Sequence, residues 1–464
     1  MSFTLGRLAR DCGGVLRGDP EVRVNGVSTD TRHIERDALF VAIRGTSFDG
    51  HQFVPDAVAK GARAVLVSSD EVEAGDAAVI RVEDTVVALG TLAQAHRARF
   101  EGPVIAVTGS NGKTTTKEMC ASILEAAGRR VRRSPGNYNN EIGLPLSILQ
   151  LESEDGALVV ELGMNHPGEI DALGAIASPT VGAITQIAPA HLGPMGSVDA
   201  IASAKGELLE RIRPDGVAVL NADDPLVMGQ SRRFSGRVIG FGTAPEAEVR
   251  ATSIEPNTDG TRFELAAPRG SIGIELHTPG RHQVWNALCA VAAASAADLR
   301  EGELFEAARA GLARFRAVPG RLVLSRTAAG VTLLDDSYNA NPVSVDAALR
   351  TLADVAGVAG VARRIAILGD MLELGPEGPD LHAHTGRAAA RAGVDLLVTV
   401  GELSRETARA ARREGIEEVV EVCDAKAAAR YVRASVRSGD AVLVKGSRGM
   451  QLEIVVRALT GADS

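Results

Sequence analysis

VIAVTGSNGKTTTK, residues 104–117, changes character twice within a few positions. Val104, Ile105, Ala106 and Val107 form an apolar run rich in β-branched residues, which predicts a buried strand. Thr108-Gly109-Ser110-Asn111-Gly112 is a turn, and a helical pattern starts at Lys113. A strand that turns through glycines into a helix aims free backbone N–H groups at one point, where an anion is favoured. Such a turn is often no more than a tight turn. Here Lys-Thr-Thr opens the helix, so the Lys113 ammonium supplies charge for phosphate oxygens and the Thr114 hydroxyl a ligand for Mg²⁺. Gly109, Ser110, Asn111, Gly112, Lys113, Thr114 and Thr115 are therefore the predicted nucleotide-phosphate site. The pattern is a shortened one, T-G-x-x-G-K-T-T, because Val107 stands where a full Walker sequence has its first glycine.

Downstream, a helix over 114–127 ends at Gly128, and strands are predicted at 157–161, 181–187, 217–221 and 238–241. Helices fall between them, notably at 198–212, which is the βαβ logic of a parallel sheet. Residues 249–276 differ: three short segments broken by Asp259-Gly260 and Arg269-Gly270 predict an antiparallel meander. Helices at 285–298 and 304–312 come next, and Ala317-Val318-Pro319-Gly320 marks a boundary. Upstream, a helix capped by Asp84 runs to Arg99 and is broken by Glu101-Gly102-Pro103. Before it, Thr4 is the predicted cap of a short helix carrying Leu5, Leu8 and Ala9, with short strands at 22–27, 39–43, 64–67 and 79–82. Beyond Gly320, strands at 331–334, 365–368, 396–400, 419–422 and 441–444 alternate with helices, an open doubly wound sheet. The expected fold is α/β with three domains: a small mixed unit over 1–102, a central phosphate-loop parallel sheet with its meander over 103–318, and a Rossmann-like unit over 319–464.

A chain of 464 residues with 45% hydrophobic residues is long enough for several cores. Aromatics are only 3%, so those cores must be built of Ala, Val, Leu and Ile. The net charge of −9 argues against nucleic acid as a partner. Cys12, Cys120, Cys289 and Cys423 are widely spaced, without a CxxC pair, and read as buried thiols of a reducing compartment. MSFTLGRLAR lacks the apolar stretch of a secretory signal, and no apolar run is long enough to span a bilayer. A cytoplasmic protein without membrane insertion is expected.

Phosphoryl chemistry needs a metal partner, and Glu161 closes a predicted strand, where ligands of open α/β sheets gather. His191 comes after the strand at 181–187, at a second such end; a lone histidine is more often structural or solvated, and its place at the crest of the same sheet brings a ligand role level with that reading. Lys205 shares a predicted helix with Glu207 and Glu210, and spacing alone makes it a solvated surface lysine. Two polar turns of the first unit, Ser28-Thr29-Asp30-Thr31-Arg32 and the stretch with Arg44, Gly45, Asp49, Gly50 and His51, suit a pyrophosphate and a sugar or base. Read alone, each is plain turn chemistry.

TGSNGKTTT, GNYNNEIGLP, ELGMNHPGEI, APAHLG and ASAKGE occur in the order in which the central domain of the Mur ligases carries similar motifs. GRHQVWNALCA, VPGRL, DDSYNANPVS, ILGDMLELG and VKGSRGMQLE extend the resemblance through the third unit, and STDTR and GTSFDGHQF cover the first. ILGDMLELG, with His382 after it, and KGSRGMQLE resemble the branch that adds D-alanyl-D-alanine; no DNPR-like motif of the branch adding the third amino acid is seen. The resemblance implies an ATP-dependent ligase joining D-alanyl-D-alanine to UDP-N-acetylmuramoyl tripeptide, acting as a monomer. It implies that Lys113 and the turn amides hold the ATP phosphates, with Thr114 and Glu161 on one Mg²⁺. His191 and a carbamylated Lys205 would hold a second ion. Asn286, Arg321 and Asp336 would bind adenine, phosphate and ribose, Asn137 and Asn140 would face the acceptor peptide, and Ser28, Asp30, Arg32, Gly45 and the Asp49-Gly50-His51 turn would hold the uridine diphosphate. Gln283 stands after His282 where the family often has Asn, a departure at the adenine contact. Two other readings stand beside this one: a relative that adds a single amino acid to a nucleotide or folate substrate, and a switch protein that hydrolyses ATP without an amine acceptor.

Overall fold

The computed structural model describes residues 2–461 apart from 46, 47, 191, 258, 298, 300 and 301. Val104–Thr108 lies inside a nine-stranded sheet. Its parallel neighbours are Ala157–Glu161 and Val181–Ile184, with Val131–Arg133 further out on one side and Val217–Asn221 and Arg237–Gly242 on the other. The inner strands are apolar on both faces because helices cover both faces; Val104, Ile105, Ala106 and Val107 are fully buried. Val249–Asn257, Gly260–Ala267 and Gly270–Leu276 continue the sheet as the three-segment antiparallel meander expected, the first of them joined parallel to Arg237–Gly242. Register does the positioning: Glu161 lies opposite Val107, and Ile184 opposite Thr108. Three adjacent strands thus end level with the phosphate turn, and the segments leaving them gather at one crest.

Two other sheets flank this one. The first has five strands, ordered Val15–Arg17, Ala78–Arg81, Ala64–Val67, Leu39–Val41 and Val27–Ser28, and a small pair, Ser2–Thr4 with Arg23–Asn25, lies beside it. The last has six, ordered Val323–Arg326, Thr332–Asp336, Asp440–Lys445, Arg363–Gly369, Leu396–Val400 and Glu418–Val422. All its pairings are parallel except that of the Val323–Arg326 edge, which the sequence pattern does not announce. Its two faces carry separate cores, as a doubly wound sheet requires.

The first and middle sheets share one continuous core. Helix Thr85–Arg97 makes the join: Leu89 and Leu92 belong to the same cluster as Leu144, Ile148, Ile170 and Leu173. At its end Arg97 donates to the carbonyls of Ala177 (2.8 Å) and Ser178 (2.8 Å), the exposed end of helix Glu169–Ala177. On the opposite face, helix Lys113–Ala126 packs against the alanine-rich helix His282–Ser295, where small side chains let the backbones approach. The last unit meets the middle one through polar contacts: Asn341 Nδ2 donates to Asn111 Oδ1 (2.7 Å), and Gly193 N to the Glu373 carbonyl (2.9 Å).

Several expectations are adjusted. Thr4 occupies the N-cap of helix Leu5–Cys12, but its hydroxyl makes no capping bond, because Thr4 is also the last residue of a strand. The helix predicted at 198–212 is Val198–Glu210, and that at 285–298 is His282–Ser295. The four thiols are free, but only Cys120 and Cys289 are buried; Cys12 is half-buried and Cys423 exposed. Among the described residues, no helix is long and apolar enough to cross a membrane.

Candidate functional site

The phosphate turn is built so tightly that two of its residues have to be glycine. Gly109 and Gly112 both have positive φ, 150° and 84°. A Cβ on Gly109 would collide with the Thr185 hydroxyl, and one on Gly112 with the Asn286 side-chain oxygen. The chain after Val181–Ile184 laces the turn in place. Thr185 Oγ1 donates to the Asn111 carbonyl (2.6 Å), Ser110 N to the Gln186 carbonyl (2.8 Å) and Ser110 Oγ to the Ala188 carbonyl (2.9 Å). Lys113, first residue of its helix, folds its ammonium back onto the Gly109 carbonyl (2.7 Å). Its pKa is lowered, mainly by burial; Glu161 opposes that shift and Arg321 adds to it.

Beside this turn lies a cleft of about 770 Å³. The middle unit contributes Lys113, Asn137, Asn140, Glu161 and Lys205, and the last unit Arg321, Asp336, Tyr338, Lys445 and Arg448. Glu161 is fully buried; Asn139 Nδ2 donates to its Oε1 (2.8 Å), while its Oε2 has no partner among the described residues. The buried Thr114 hydroxyl has none among them either. Two orphaned oxygens, on the first turn of the helix and at the end of the neighbouring strand, are what a hard cation would complete. Among the described residues, no group of three His, Cys, Asp or Glu side chains is placed to hold a metal by itself.

Lys205 is not the surface lysine that its spacing suggests; it is 3% exposed. Burial first, and then the charge of Lys113, push its pKa well below that of an ordinary lysine. No carboxylate among the described residues pairs with it. Its neighbour Glu207 turns away, accepting from Gly168 N (2.9 Å) and Asp171 N (3.0 Å) at the start of another helix. His191 lies outside the described residues.

Asn286 is 8% exposed and donates to Gln283 Oε1 (2.9 Å), so the departure at Gln283 supplies this amide with a partner. Asn286 also faces a second cavity, of about 1020 Å³, which adjoins the cleft at Asn111 and Gly112. Arg321 stacks on the Tyr338 ring at 4.2 Å. Asp336 accepts from Lys445 (2.6 Å) and from Leu322 N (3.1 Å), and burial raises its pKa against the pull of Lys445. Asn140 Oδ1 accepts from Gly143 N (2.9 Å) and so closes the start of helix Gly143–Ile148, whereas Asn137 is exposed. His382 is spent inside the last unit: its Nδ1 donates to the Gly378 carbonyl (2.7 Å) and its Nε2 accepts from Met371 N (3.0 Å).

The first-unit residues do not line the cleft. Arg32 is exposed and grips the Asp30 carboxylate through Nε (2.9 and 3.1 Å) and Nη2 (2.7 Å), and the Ser28 hydroxyl accepts from Asp30 N (3.1 Å). Asp49 accepts from Arg44 (3.0 Å), from His51 N (3.0 Å) and from His51 Nδ1 (2.6 Å), while His51 Nε2 accepts from Ser68 N (2.9 Å). A Cβ on Gly50 would meet the Ile43 backbone at 2.6 Å. Asp49 and His51 thus hold each other, with Arg44 and Ser68 as their outer partners; residues 46 and 47 lie outside the described residues. Sequence reasoning missed Asn139, Lys117, Tyr338 and Lys445; the only signal for the first two is their place in NYNN and in the helix after the phosphate turn.

Fold and site together define a three-domain α/β protein with a phosphate loop at the crest of its middle sheet. The family models described as Mur ligase family, catalytic domain, Mur ligase middle domain, and Mur ligase, glutamate ligase domain match residues 23–97, 107–294 and 320–448. UDP-N-acetylmuramoyl-tripeptide--D-alanyl-D-alanine ligase of Escherichia coli K12 is 39% identical over 99% of this chain and 98% of that protein. MurF from Acinetobacter baumannii superposes with a TM-score of 0.89 at 32% identity, over 99% of both chains. MurF ligase from Thermotoga maritima in complex with ADP superposes at 0.81 with 26% identity, over 94% of this chain and 97% of that one. The chain belongs to the Mur ligase family.

Proposed function

We propose that this protein is an ATP-dependent, Mg²⁺-requiring amide ligase of the cytoplasm that joins D-alanyl-D-alanine to UDP-N-acetylmuramoyl tripeptide in peptidoglycan precursor synthesis. What carries the proposal is one cleft in which a phosphate loop and Glu161 face Arg321 and Asp336 from another sheet, within a chain that matches ligases of that name along its whole length. A division into domains at 1–102, 103–318 and 319–464 fits a reaction with three substrates, the cleft lying between the second and third and the polar turns of the first standing apart from it.

A carboxylate is a poor electrophile at neutral pH. Transfer of the γ-phosphoryl group to the tripeptide carboxylate makes an acyl phosphate with a good leaving group; the dipeptide amine then attacks the carbonyl and phosphate departs. In such chemistry the protein positions groups and neutralises charge. Lys113 and the amides of residues 109–112 would hold the β- and γ-phosphates, with Thr115 beside them. Asn286, Arg321 and Asp336 would hold adenine, phosphate and ribose. The partnerless oxygens of Thr114 and Glu161 fit one Mg²⁺, and a carbamylated Lys205 with His191 would hold a second. When bound, the ions offset the repulsion between ATP and an anionic acceptor. Asn137 and Asn140 would face the acceptor peptide.

ADP release with UDP-muramoyl tripeptide, with and without D-alanyl-D-alanine, together with product mass, tests the proposal. Release that depends on the dipeptide and yields a product heavier by its residue mass is expected. Release that ignores every amine would instead favour an ATP-hydrolysing switch, and release driven by single amino acids another ligase of the superfamily.

The first unit gives a separate prediction. Ser28, Asp30 and Arg32, with Gly45, Asp49, Gly50 and His51, would hold the uridine diphosphate. Arg32 is exposed and, among the described residues, bound only to Asp30, so its guanidinium can be recruited by an incoming phosphate without disturbing the core. Arg32→Ala is expected to weaken acceptor binding by about ten- to a hundredfold, the equivalent of roughly 1.5–3 kcal/mol, and to leave ATP binding nearly unchanged. Titration calorimetry with the nucleotide sugar and, separately, with an ATP analogue checks it; equal acceptor affinity in variant and parent would place the uridine site elsewhere.

A further inference from the structure

Lys117 is a fully buried lysine one turn beyond the phosphate loop. Burying an ammonium is costly unless its donors are satisfied. Here they are satisfied by a loop: Lys117 Nζ donates to the carbonyls of Ser134 and Gly136, the latter at 3.0 Å, and pairs with Glu118 at 3.1 Å. Residues 135–138 of that loop are exposed and belong to no helix or strand. The loop regains the sheet at Asn139, whose carbonyl accepts from Gly163 N (2.8 Å) and whose Nδ2 donates to Glu161 Oε1 (2.8 Å). Gly163 leaves no spare room, since a Cβ there would sit 2.8 Å from the Asn139 amide carbon. The loop is therefore pinned at both ends, by Lys117 and by the end of strand Ala157–Glu161.

We infer that Asn139 is a positioning residue for Glu161: its amide occupies Oε1 and sets the carboxylate rotation so that Oε2 faces a divalent cation, and Lys117 is the anchor that holds the Asn139 loop in register. The inference rests on the reading of Glu161 as a cation ligand. An amide suits the task because it donates one hydrogen bond and leaves the carboxylate its charge. A lysine in its place would neutralise that charge, and an aspartate would repel it.

Mn²⁺ binding in the presence of a non-hydrolysable ATP analogue, monitored by electron paramagnetic resonance, separates the two claims. Glu161→Gln is expected to weaken Mn²⁺ binding strongly. Asn139→Ala is expected to weaken it by about tenfold or more, the usual cost of losing a partner behind a metal ligand, with the analogue's metal-free affinity and the melting temperature close to the parent's. Lys117→Met should reproduce the Asn139→Ala loss and add nothing to it in the double variant. If Lys117→Met does not fold, Gly163→Ala, which displaces Asn139 from the other side, takes its place with the same expectation. An unchanged Mn²⁺ affinity in Glu161→Gln would remove the cation reading itself. A loss in Glu161→Gln with none in Asn139→Ala would leave that reading standing and overturn the inference. So would a loss of analogue affinity in Asn139→Ala measured without metal, which would make Asn139 a nucleotide contact.

Discussion

Lys113→Ala is expected to reduce ADP formation by about a thousandfold or more while the protein melts close to the parent temperature. The first half rests on charge. An ammonium at the mouth of the phosphate turn faces the oxygens on which negative charge sits during phosphoryl transfer, and each lost 1.36 kcal/mol of transition-state stabilisation is a factor of about ten in rate. Lys113 is half-buried beside Glu161 and Arg321, away from bulk water, where such an interaction is screened less. The second half rests on what Lys113 touches. Among the described residues its ammonium bonds only the Gly109 carbonyl, within its own turn (2.7 Å), and the turn keeps its shape through Thr185, Gln186 and Ala188 without it. Coupled-enzyme assay of ADP at saturating substrates, alongside thermal melting, checks both halves. Normal ADP formation would remove the phosphate-loop reading; a collapse in melting temperature would make Lys113 a structural residue instead.

How far the molecule could be read from its residues depended on where each residue's partners lie. The inner parallel strands were legible because burial on both faces forces continuous apolar runs, as at 104–107 and 396–398. Edge strands such as Val131–Arg133 and Val323–Arg326 were not, because a half-solvated edge needs no such pattern. The strand expected at 181–187 stops at Ile184, and the amide of Ile187 goes to the Asp224 carboxylate (2.9 Å), a partner distant in sequence. The phosphate turn is a local device and was readable as one. Asn139 was not, since its meaning lies in an oxygen of Glu161, and Arg321 shows its stacking partner Tyr338 only once Gly320 has turned the chain. Local charge spacing misled most at Lys205: Glu207, on the same helix, serves a different helix start, and the lysine is left buried without a carboxylate among the described residues.

That isolation makes Lys205→Ala the other variant with a large expected effect. As an ammonium, Lys205 would repel Mg²⁺. As a carbamate, formed when the neutral amine adds to the carbon of CO₂ and releases a proton, it becomes an anionic oxygen ligand of the kind Mg²⁺ prefers. The reaction needs the neutral amine, and burial, together with the Lys113 charge, lowers the Lys205 pKa and favours that form. Lys205→Ala is therefore expected to be nearly inactive and to regain part of its activity when acetate or another short carboxylic acid fills the vacated space. The parent, equilibrated with ¹³C-bicarbonate, should show a carbamate carbon resonance that the variant lacks. Lys113→Ala should weaken that resonance without abolishing it, because it removes only the lesser of the two causes that keep Lys205 neutral. A Lys205→Ala protein with close to full activity and indifferent to acetate would mean that the buried lysine is a packing residue. A parent without the resonance, at saturating bicarbonate, would mean that the site works with the plain amine.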